Sequence, residues 1–496
     1  MAVKRTNVQV DDLRSALDLL EMIPGQLVTT DVEVEPRAEL SGVYRYVGSG
    51  GTVQRPTKIG PAMIFNTIKG HEGARVAIGL LSSRERVGHL LGCAPGDLGF
   101  LLNEALEKRF APVVIPNEKA KCQEVVYRAE DPDFDIRKLI PAPTNTEEDA
   151  GPYITLGMCY ASDIETGESD ITIHRLCLQS KDEITMFFTP GSRHLGAMRE
   201  KAEAMGKPLP ISISIGVDPA IEIAAGFEPP TTPFGFNELD IAGGLRDKSV
   251  EMVKCLTIGE NAIANAEYVI EGELIPNARL REDMNTNTGK AMPEFPGYTG
   301  PANAELPFIK VKAVTTRKNP IMQTCIGPSE EHVSIAGIPT EASIISMVNR
   351  AMPGRLQNVY ASSCGGGKFV AVLQFKKNGP MDEGRQRQAA LLAFSAFSEL
   401  KHIFLVDEDV DLFDMNDVLW AMTTRFQADR DIITLPGVHC HVLDPSNSPE
   451  YHSMIRNRGI ATKAIFDCTV PYDQKARFQR AGFKELDPKK WLPDLF

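Results

Sequence analysis

The sequence predicts an α+β chain of more than one domain, and three observations carry that reading. At 496 residues the chain is longer than a single hydrophobic core usually serves. Its middle, from Tyr153 to about Val314, reads as short strands separated by hairpin-length gaps. The stretches on either side alternate helical and strand periods.

In chain order, "VDDLRSALDLLEMI" has apolar residues at helical spacing and is stopped by Pro24-Gly25. "GPAMIFNTIKG" is a short apolar strand between glycines, and "SSRERVGHLLG" and "DLGFLLNEALEKRF" read as helices. Residues 111–152 form a Pro- and acid-rich connection. Five strand-like stretches follow: "YITLGMCYAS", "DITIHRLCLQ", "ITMFFTP", "LPISISIGV" and "AEYVIEGEL". "SKDE" fits a hairpin turn among them, and "HLGAMREKAEAMG" is a helix. Such a run predicts an antiparallel sheet or barrel. Beyond about residue 330, "TEASIISMVNRAM", "RQRQAALLAFSAFSEL" and "MNDVLWAMTTRF" are helical. They interleave with strands "KFVAVLQF" and "HIFLVDEDVDLF", which predicts a separate α/β unit followed by a Pro- and Lys-rich tail.

Bulk composition narrows the function. The chain is 43% hydrophobic and 24% charged, with a formal net charge of −13. An acidic surface repels nucleic acid and anionic membranes, so an anionic ligand would need a local basic pocket. No stretch approaches the roughly 20 apolar residues of a membrane span. Nine scattered cysteines without a CxxC pair fit reduced thiols, and the expected location is the cytoplasm.

The strand "DITIHRLCLQ" (170–179) is where chemistry first shows. Asp170, Thr172 and His174 share one face, while Ile171, Ile173 and Arg175 share the other. Arginine cannot shed its proton, so burying Arg175 demands a carboxylate or a bound anion. A strand end reaching solvent is the other reading. Asp170, His194 in "TPGSRHLGAM" and Glu238 in "PFGFNELDIAGG" supply two carboxylates and an imidazole, donors that suit Mg²⁺ or Mn²⁺. Spacing alone leaves them equally readable as surface groups. Arg193 stands at the start of the following helix, where backbone N–H groups make either a phosphate site or a solvated turn.

Glu294 lies between two prolines in the loop "TNTGKAMPEFPGY", where a desolvated carboxyl can deliver a proton. Glu282 in "REDMN" offers a second acid. Both also read as exposed loop glutamates. "SSCGGGKF" reads as a flexible hinge bringing Lys368 to a pocket rim and lacks the spacing of a Walker A loop. "PSEEHVSIAG" places His332 on a loop after two acids. "VDEDVD" lacks the glycine and spacing of an EF-hand and reads as structural. "HCH" at 439–441 has no second ligand pair, which argues against zinc.

In order and spacing, "GPAMIFNTIKG", "DAGPYIT", "DITIHR", "RHLG", "NELDIAGG", "YVIEGEL", "MPEFPGY", "GPSEEHVSIAGIPTEASI" and "LVDEDVDLFDMNDVLWAMTTR" resemble the UbiD-type decarboxylases. The resemblance covers nearly the whole chain and is nearest to the bacterial branch acting on gallate and protocatechuate. It implies prenylated FMN as cofactor, with Mn²⁺ (or Mg²⁺) held by Asp170, His194 and Glu238 and with K⁺ close by. The face bearing Asp170 and Thr172 would meet the cofactor phosphate, with Thr155, Ile173 and Arg193 near the phosphate or ring. Arg175 and Glu294 fall at the catalytic arginine and glutamate positions. His332 and Lys368 would meet the ring hydroxyls of the substrate.

Two departures stand out. Many relatives carry asparagine at the position of Asp170. Many also carry a glutamate five positions before the one matching Glu294, where this chain has Gly289, so Glu282 is the candidate second acid. The implied activity is reversible, non-oxidative decarboxylation of a para-hydroxylated benzoate, gallate or protocatechuate. 4-Hydroxybenzoate and vanillate are alternatives within the family. A conventional FMN-dependent oxidoreductase and a non-catalytic scaffold subunit are alternatives outside it. The implied architecture is an N-terminal α/β segment (1–115), a β-rich split-barrel cofactor domain (116–325), a C-terminal α/β domain (326–470) and an oligomer-contacting tail (471–496). Expected partners are a small phenolic acid, a flavin prenyltransferase that supplies the cofactor and further copies of the chain as dimer or hexamer. The resemblance leaves room for a small accessory subunit.

Overall fold

The structure is a computed structural model and describes residues 3–189, 194–450 and 458–493. At its centre six antiparallel strands close on themselves. Their order is Tyr268–Leu274, Leu209–Ile215, Tyr153–Ser162, Ser169–Leu178, Glu183–Met186 and Phe308–Thr316, the last pairing back with the first. The strand Val125–Arg128 extends the barrel on the outer side of Phe308–Thr316. The closed barrel thus matches the β-rich expectation for the middle of the chain.

Alternation shows why these residues form it. In "LPISISI", Ile211, Ile213 and Ile215 are fully buried in one cluster with Ile270, Ile309 and Val311. Ser212 and Ser214 point the other way, where Ser212 donates to the Asn261 carbonyl (2.6 Å) and Ser214 accepts from the Ile263 N–H (3.2 Å). Each strand face has its own covering layer.

The N-terminal helices Leu13–Glu21, Arg84–Leu91 and Leu98–Glu107 form where helical spacing predicts them. The first is capped by Asp12, whose side chain accepts from the Ser15 N–H. The N-terminal sheet, Leu27–Thr30, Ala62–Phe65 and Arg75–Ile78, is completed by Ile321–Thr324, a strand returning from beyond the barrel. The N-terminal segment and the barrel are therefore interlocked along the chain.

The C-terminal sheet runs Leu356–Ala361, Val370–Phe375, His402–Val406, Ile460–Asp467 and Ile432–His439. Helices Arg385–Ala396 and Met415–Arg425 flank it. Asp407, at the end of the central strand, pairs with Arg425 (3.2 Å), so "VDEDVD" is structural as expected. The long helix Glu330–Ala351 joins this domain to the rest. Its first turn is anchored by Glu331, which accepts from the Gly79 and Leu81 N–H groups (2.8 and 3.0 Å).

That helix corrects one expectation. The sequence reading has the helix in "TEASIISMVNRAM", with His332 on a preceding loop. The helix instead runs through Pro339, because helical bonds on both sides and burial of most of its residues outweigh one missing N–H. His332 thus lies in its first turn. All nine cysteines are unbridged. Among the described residues, no helix is long and apolar enough to cross a membrane.

Candidate active site

The site begins at an irregularity in the barrel. Ile154 pairs with Leu176 and Gly157 with His174, so Thr155 and Leu156 together face the single residue Arg175. Such a bulge re-aims side chains. Here it turns Thr155, Leu156, Ile173, His174 and Arg175 toward one cavity of about 140 Å³. Thr155 is fixed by the Cys325 N–H (2.9 Å) and the Thr324 hydroxyl (3.0 Å).

The Arg175 side chain is 7% exposed, lies over the Phe187 ring (4.1 Å) and carries two acids. Its Nε stands 3.0 Å from Glu282 Oε1, its Nη2 donates to Glu282 Oε2 (3.0 Å), and its Nη1 pairs with Glu294. Burial disfavours the guanidinium charge, but Glu294 and Glu282 more than offset this and push its pKa above the ordinary arginine value. The open question of Arg175's partner is answered by carboxylates.

The two acids differ in their surroundings. Glu282 also accepts from the Tyr153 hydroxyl (3.1 Å), the Asn303 N–H (3.0 Å) and the Asn303 amide (3.2 Å). Burial and the neighbouring Cys177 and Glu282 raise the Tyr153 pKa, so its hydroxyl remains a donor. Glu294 faces the cavity, at the turn of a small ribbon formed by Lys290–Pro293 and Thr299–Pro301. The stretch expected to be a loop is thus partly strand. Its turn is closed by Glu294 N–H to Tyr298 O (2.9 Å) and Gly297 N–H to Glu294 O (2.8 Å), which fixes the acid's aim.

At the barrel's edge, one ligand atom each of Asp170, His194 and Glu238 lies within 4.8 Å of the others. Asp170 and Glu238 are buried, and among the described residues Asp170 Oδ2 and Glu238 Oε2 have no hydrogen-bond partner. Burial, and then the charge of Asp170, push the Glu238 pKa well above the usual carboxylate range. Two buried carboxylates in such contact call for a cation, and the O,O,N donor set suits a hard or borderline divalent ion. His194 starts the helix His194–Ala204 and lines a second cleft of about 860 Å³. This cleft shares Arg175, Phe187, Thr189 and Leu443 with the smaller cavity. Thr172 is buried on the Asp170 face, and Arg193 lies outside the described residues.

The same small cavity is also lined by His332 and Lys368, together with Glu228 and His441. Lys368 is not on a flexible rim; it is 5% exposed. Gly366 and Gly367 have φ of 63° and 76°. A Cβ on the first would meet the Phe295 carbonyl at 2.7 Å, and one on the second the Val333 carbonyl at 2.7 Å. These glycines serve close packing in a left-handed turn, not hinge motion. Phe295 stacks on His332 (5.6 Å) and meets His441 edge-on (4.9 Å). Glu228, His441, Phe187 and Phe295 were not singled out for this cavity from sequence. "HCH" was a signal for His441, weighed there only as a zinc motif.

Comparison with known proteins decides the family. Models of the 3-octaprenyl-4-hydroxybenzoate carboxy-lyase N-terminal, Rift-related and C-terminal domains match residues 19–106, 113–330 and 333–468. The chain belongs to the UbiD family of carboxy-lyases. It is 56% identical over 483 residues to the gallate decarboxylase of Lactiplantibacillus plantarum, covering 97% of this chain and 99% of that one. Among solved structures it is similar to the apo 3,4-dihydroxybenzoic acid decarboxylase from Enterobacter cloacae, with TM-score 0.94 and 59% identity. That match covers 98% of this chain and 100% of the other. An evolved dimeric form of the UbiD-class enzyme HmfF from Pelotomaculum thermopropionicum, solved in complex with prFMN, aligns with TM-score 0.83 and 30% identity. It covers 98% of this chain and 100% of that one. The UbiD fold expected from the sequence motifs is the fold observed.

Proposed function

We propose that the protein releases CO₂ from a para-hydroxylated benzoate bearing adjacent hydroxyls, gallate or 3,4-dihydroxybenzoate, without net oxidation. The products are pyrogallol or catechol. The observation that carries this is the lining of one cavity. An arginine–glutamate cluster, a lysine with two histidines, and the apolar Leu156, Ile173, Met292 and Ile335 all border it. A flat aromatic acid carrying both a carboxylate and ring hydroxyls matches that lining. The gallate and 3,4-dihydroxybenzoic acid decarboxylases among its relatives support the same substrate class.

The buried oxygens of Asp170 and Glu238, unpartnered among the described residues, fit a Mn²⁺ or Mg²⁺ ion shared with His194, and that ion would tie down the phosphate of prenylated FMN. Thr155 and Ile173 would border the cofactor. Loss of CO₂ from an aromatic carbon needs an electron sink that no side chain provides, and the bound prenylated flavin supplies it.

The remaining roles belong to this chain's own residues. Arg175, held on one side by Glu282, aims Glu294 into the cavity. Glu294 gives a proton to the ring carbon that has lost its carboxylate and takes one back from water after product leaves. Phe187, Met292 and the aliphatic walls keep water from the departing CO₂. Lys368 and His332 hold the ring hydroxyls and so set which carbon faces Glu294.

The test is anaerobic assay of protein co-expressed with a flavin prenyltransferase and supplied with Mn²⁺ and K⁺, on gallate, 3,4-dihydroxybenzoate and 4-hydroxybenzoate. The dihydroxy and trihydroxy acids should release CO₂ fastest. Absence of CO₂ from all three, with cofactor and metal shown to be bound, overturns the proposal.

A further inference from the structure

The two carboxylates at the barrel's edge are joined through the residue that precedes each of them. Ser169 opens the strand Ser169–Leu178 just before Asp170, and Asn237 stands just before Glu238 at the start of the helix Leu239–Arg246. Asn237 Nδ2 donates to Ser169 Oγ at 2.8 Å, across 68 residues of chain. The Oδ1 atom of the same amide accepts from the Leu239 N–H at 2.9 Å. The Glu238 carbonyl in turn accepts from the Ile241 and Ala242 N–H groups at 3.0 and 3.2 Å. One amide thus ties the strand that carries Asp170 to the helix start that carries Glu238. His194 meets the same loop by another contact: its ring lies edge-on to Phe234 at 5.4 Å, and its Nδ1 is 3.6 Å from Asp170 Oδ1.

These contacts are made by the chain alone. Two carboxylates brought together out of water repel each other, which drives their segments apart unless some other bond joins them. The Ser169–Asn237 bond is such a join. It links neutral groups and leaves the oxygens of Asp170 and Glu238 to a cation. Partners that orient metal ligands from behind commonly set the metal affinity.

We infer that Ser169 and Asn237 are positioning residues that clamp Asp170 to Glu238, so that the divalent ion is taken up by the chain alone, ahead of the flavin phosphate. This rests on the reading of Asp170, His194 and Glu238 as the ion's ligands given above, and adds which residues assemble them and in what order the site fills.

The experiment titrates Mn²⁺ into the full chain with and without bound flavin and reads free Mn²⁺ by electron paramagnetic resonance, so no turnover is needed. Flavin-free wild type should bind Mn²⁺ at a single site. Asn237→Ala and Ser169→Ala should each weaken that binding about 10- to 100-fold. Both remove the same bond, so the double variant should be no weaker than Asn237→Ala. Asn237→Asp should restore binding, since its carboxylate accepts from both the Leu239 N–H and the Ser169 hydroxyl. Mn²⁺ bound by flavin-loaded wild type and not by the flavin-free chain overturns the inference. So do unchanged affinities in the folded single variants, or losses that add in the double variant. If Asn237→Ala does not fold, Ser169→Ala, which keeps the bond to Leu239, decides alone. Mn²⁺ bound by neither form of the wild type is a different result and sinks the metal reading itself.

Discussion

The two ends of the cavity are built on opposite plans. The acid end hangs on two paired barrel strands and a ribbon: Arg175 is aimed by the two-against-one register at Thr155 and Leu156, and Glu294 by a ribbon closed over two prolines. Its contacts are charge-assisted bonds from one guanidinium to two carboxylates. The hydroxyl end is collected from separate segments: Glu228 after a helix, His332 in a helix's first turn, Lys368 in a glycine turn, and Glu399 and His441 from two further connections. The difference teaches a division of labour. The bond-breaking end depends on local backbone geometry, and the recognition end on how distant segments dock. Damage to the first should slow every substrate alike, whereas damage to the second should reorder them.

The sharpest way to break this comparison is Glu294→Gln. The amide preserves size and can still accept from Arg175, but it cannot deliver a proton. Turnover should fall by about 10²- to 10⁴-fold on gallate, 3,4-dihydroxybenzoate and 4-hydroxybenzoate in equal measure. Substrate binding should hold, as read from KM and from calorimetry. A fall confined to one substrate would place Glu294 in recognition.

Lys368→Met probes the opposite end with a smaller effect. Loss of a charged donor should cost about 10- to 100-fold in kcat/KM on gallate and 3,4-dihydroxybenzoate and less on 4-hydroxybenzoate. Because the change leaves Glu228 and Glu399 buried without their shared ammonium, the melting temperature should fall as well. Assays therefore belong at a temperature where circular dichroism shows the variant folded. Equal losses on all three acids would erase the distinction between the ends.

The same division explains what could be read in the chain. Arg175 stood out because an arginine among isoleucines on a strand needs a reason, and Glu294 because flanking prolines fix a backbone. Both are local signals, and both residues line the cavity. The barrel's strands were legible from period-2 alternation, but its closure was not: alternation assigns faces, and nothing in "AEYVIEGEL" says that it pairs with Phe308–Thr316. His332 is in a helix and not on a loop because burial of most of Glu330–Ala351 carries the helix back through Pro339 to Glu330. The three glycines before Lys368 resemble a hinge in sequence and act as packing surfaces in space. Glu399 has no local signature; it meets Lys368 and His441 only in the fold.

Tyr153→Phe gives the smallest expected effect and the finest cut, because Tyr153 belongs to the acid end yet does not itself line the cavity. Its hydroxyl is one of several donors to Glu282, alongside Arg175 and Asn303. Removing one neutral hydrogen bond of that kind is worth about 0.5–1.5 kcal/mol, so turnover should drop by roughly 2- to 10-fold. The drop should be the same for each substrate, since Tyr153 acts through Glu282 on the aim of Arg175 and hence of Glu294. A substrate-dependent drop would mean that the acid end also reads the ring. A drop as large as that of Glu294→Gln would mean that the proton path runs through Glu282 and Tyr153, and that the two acids share the transfer.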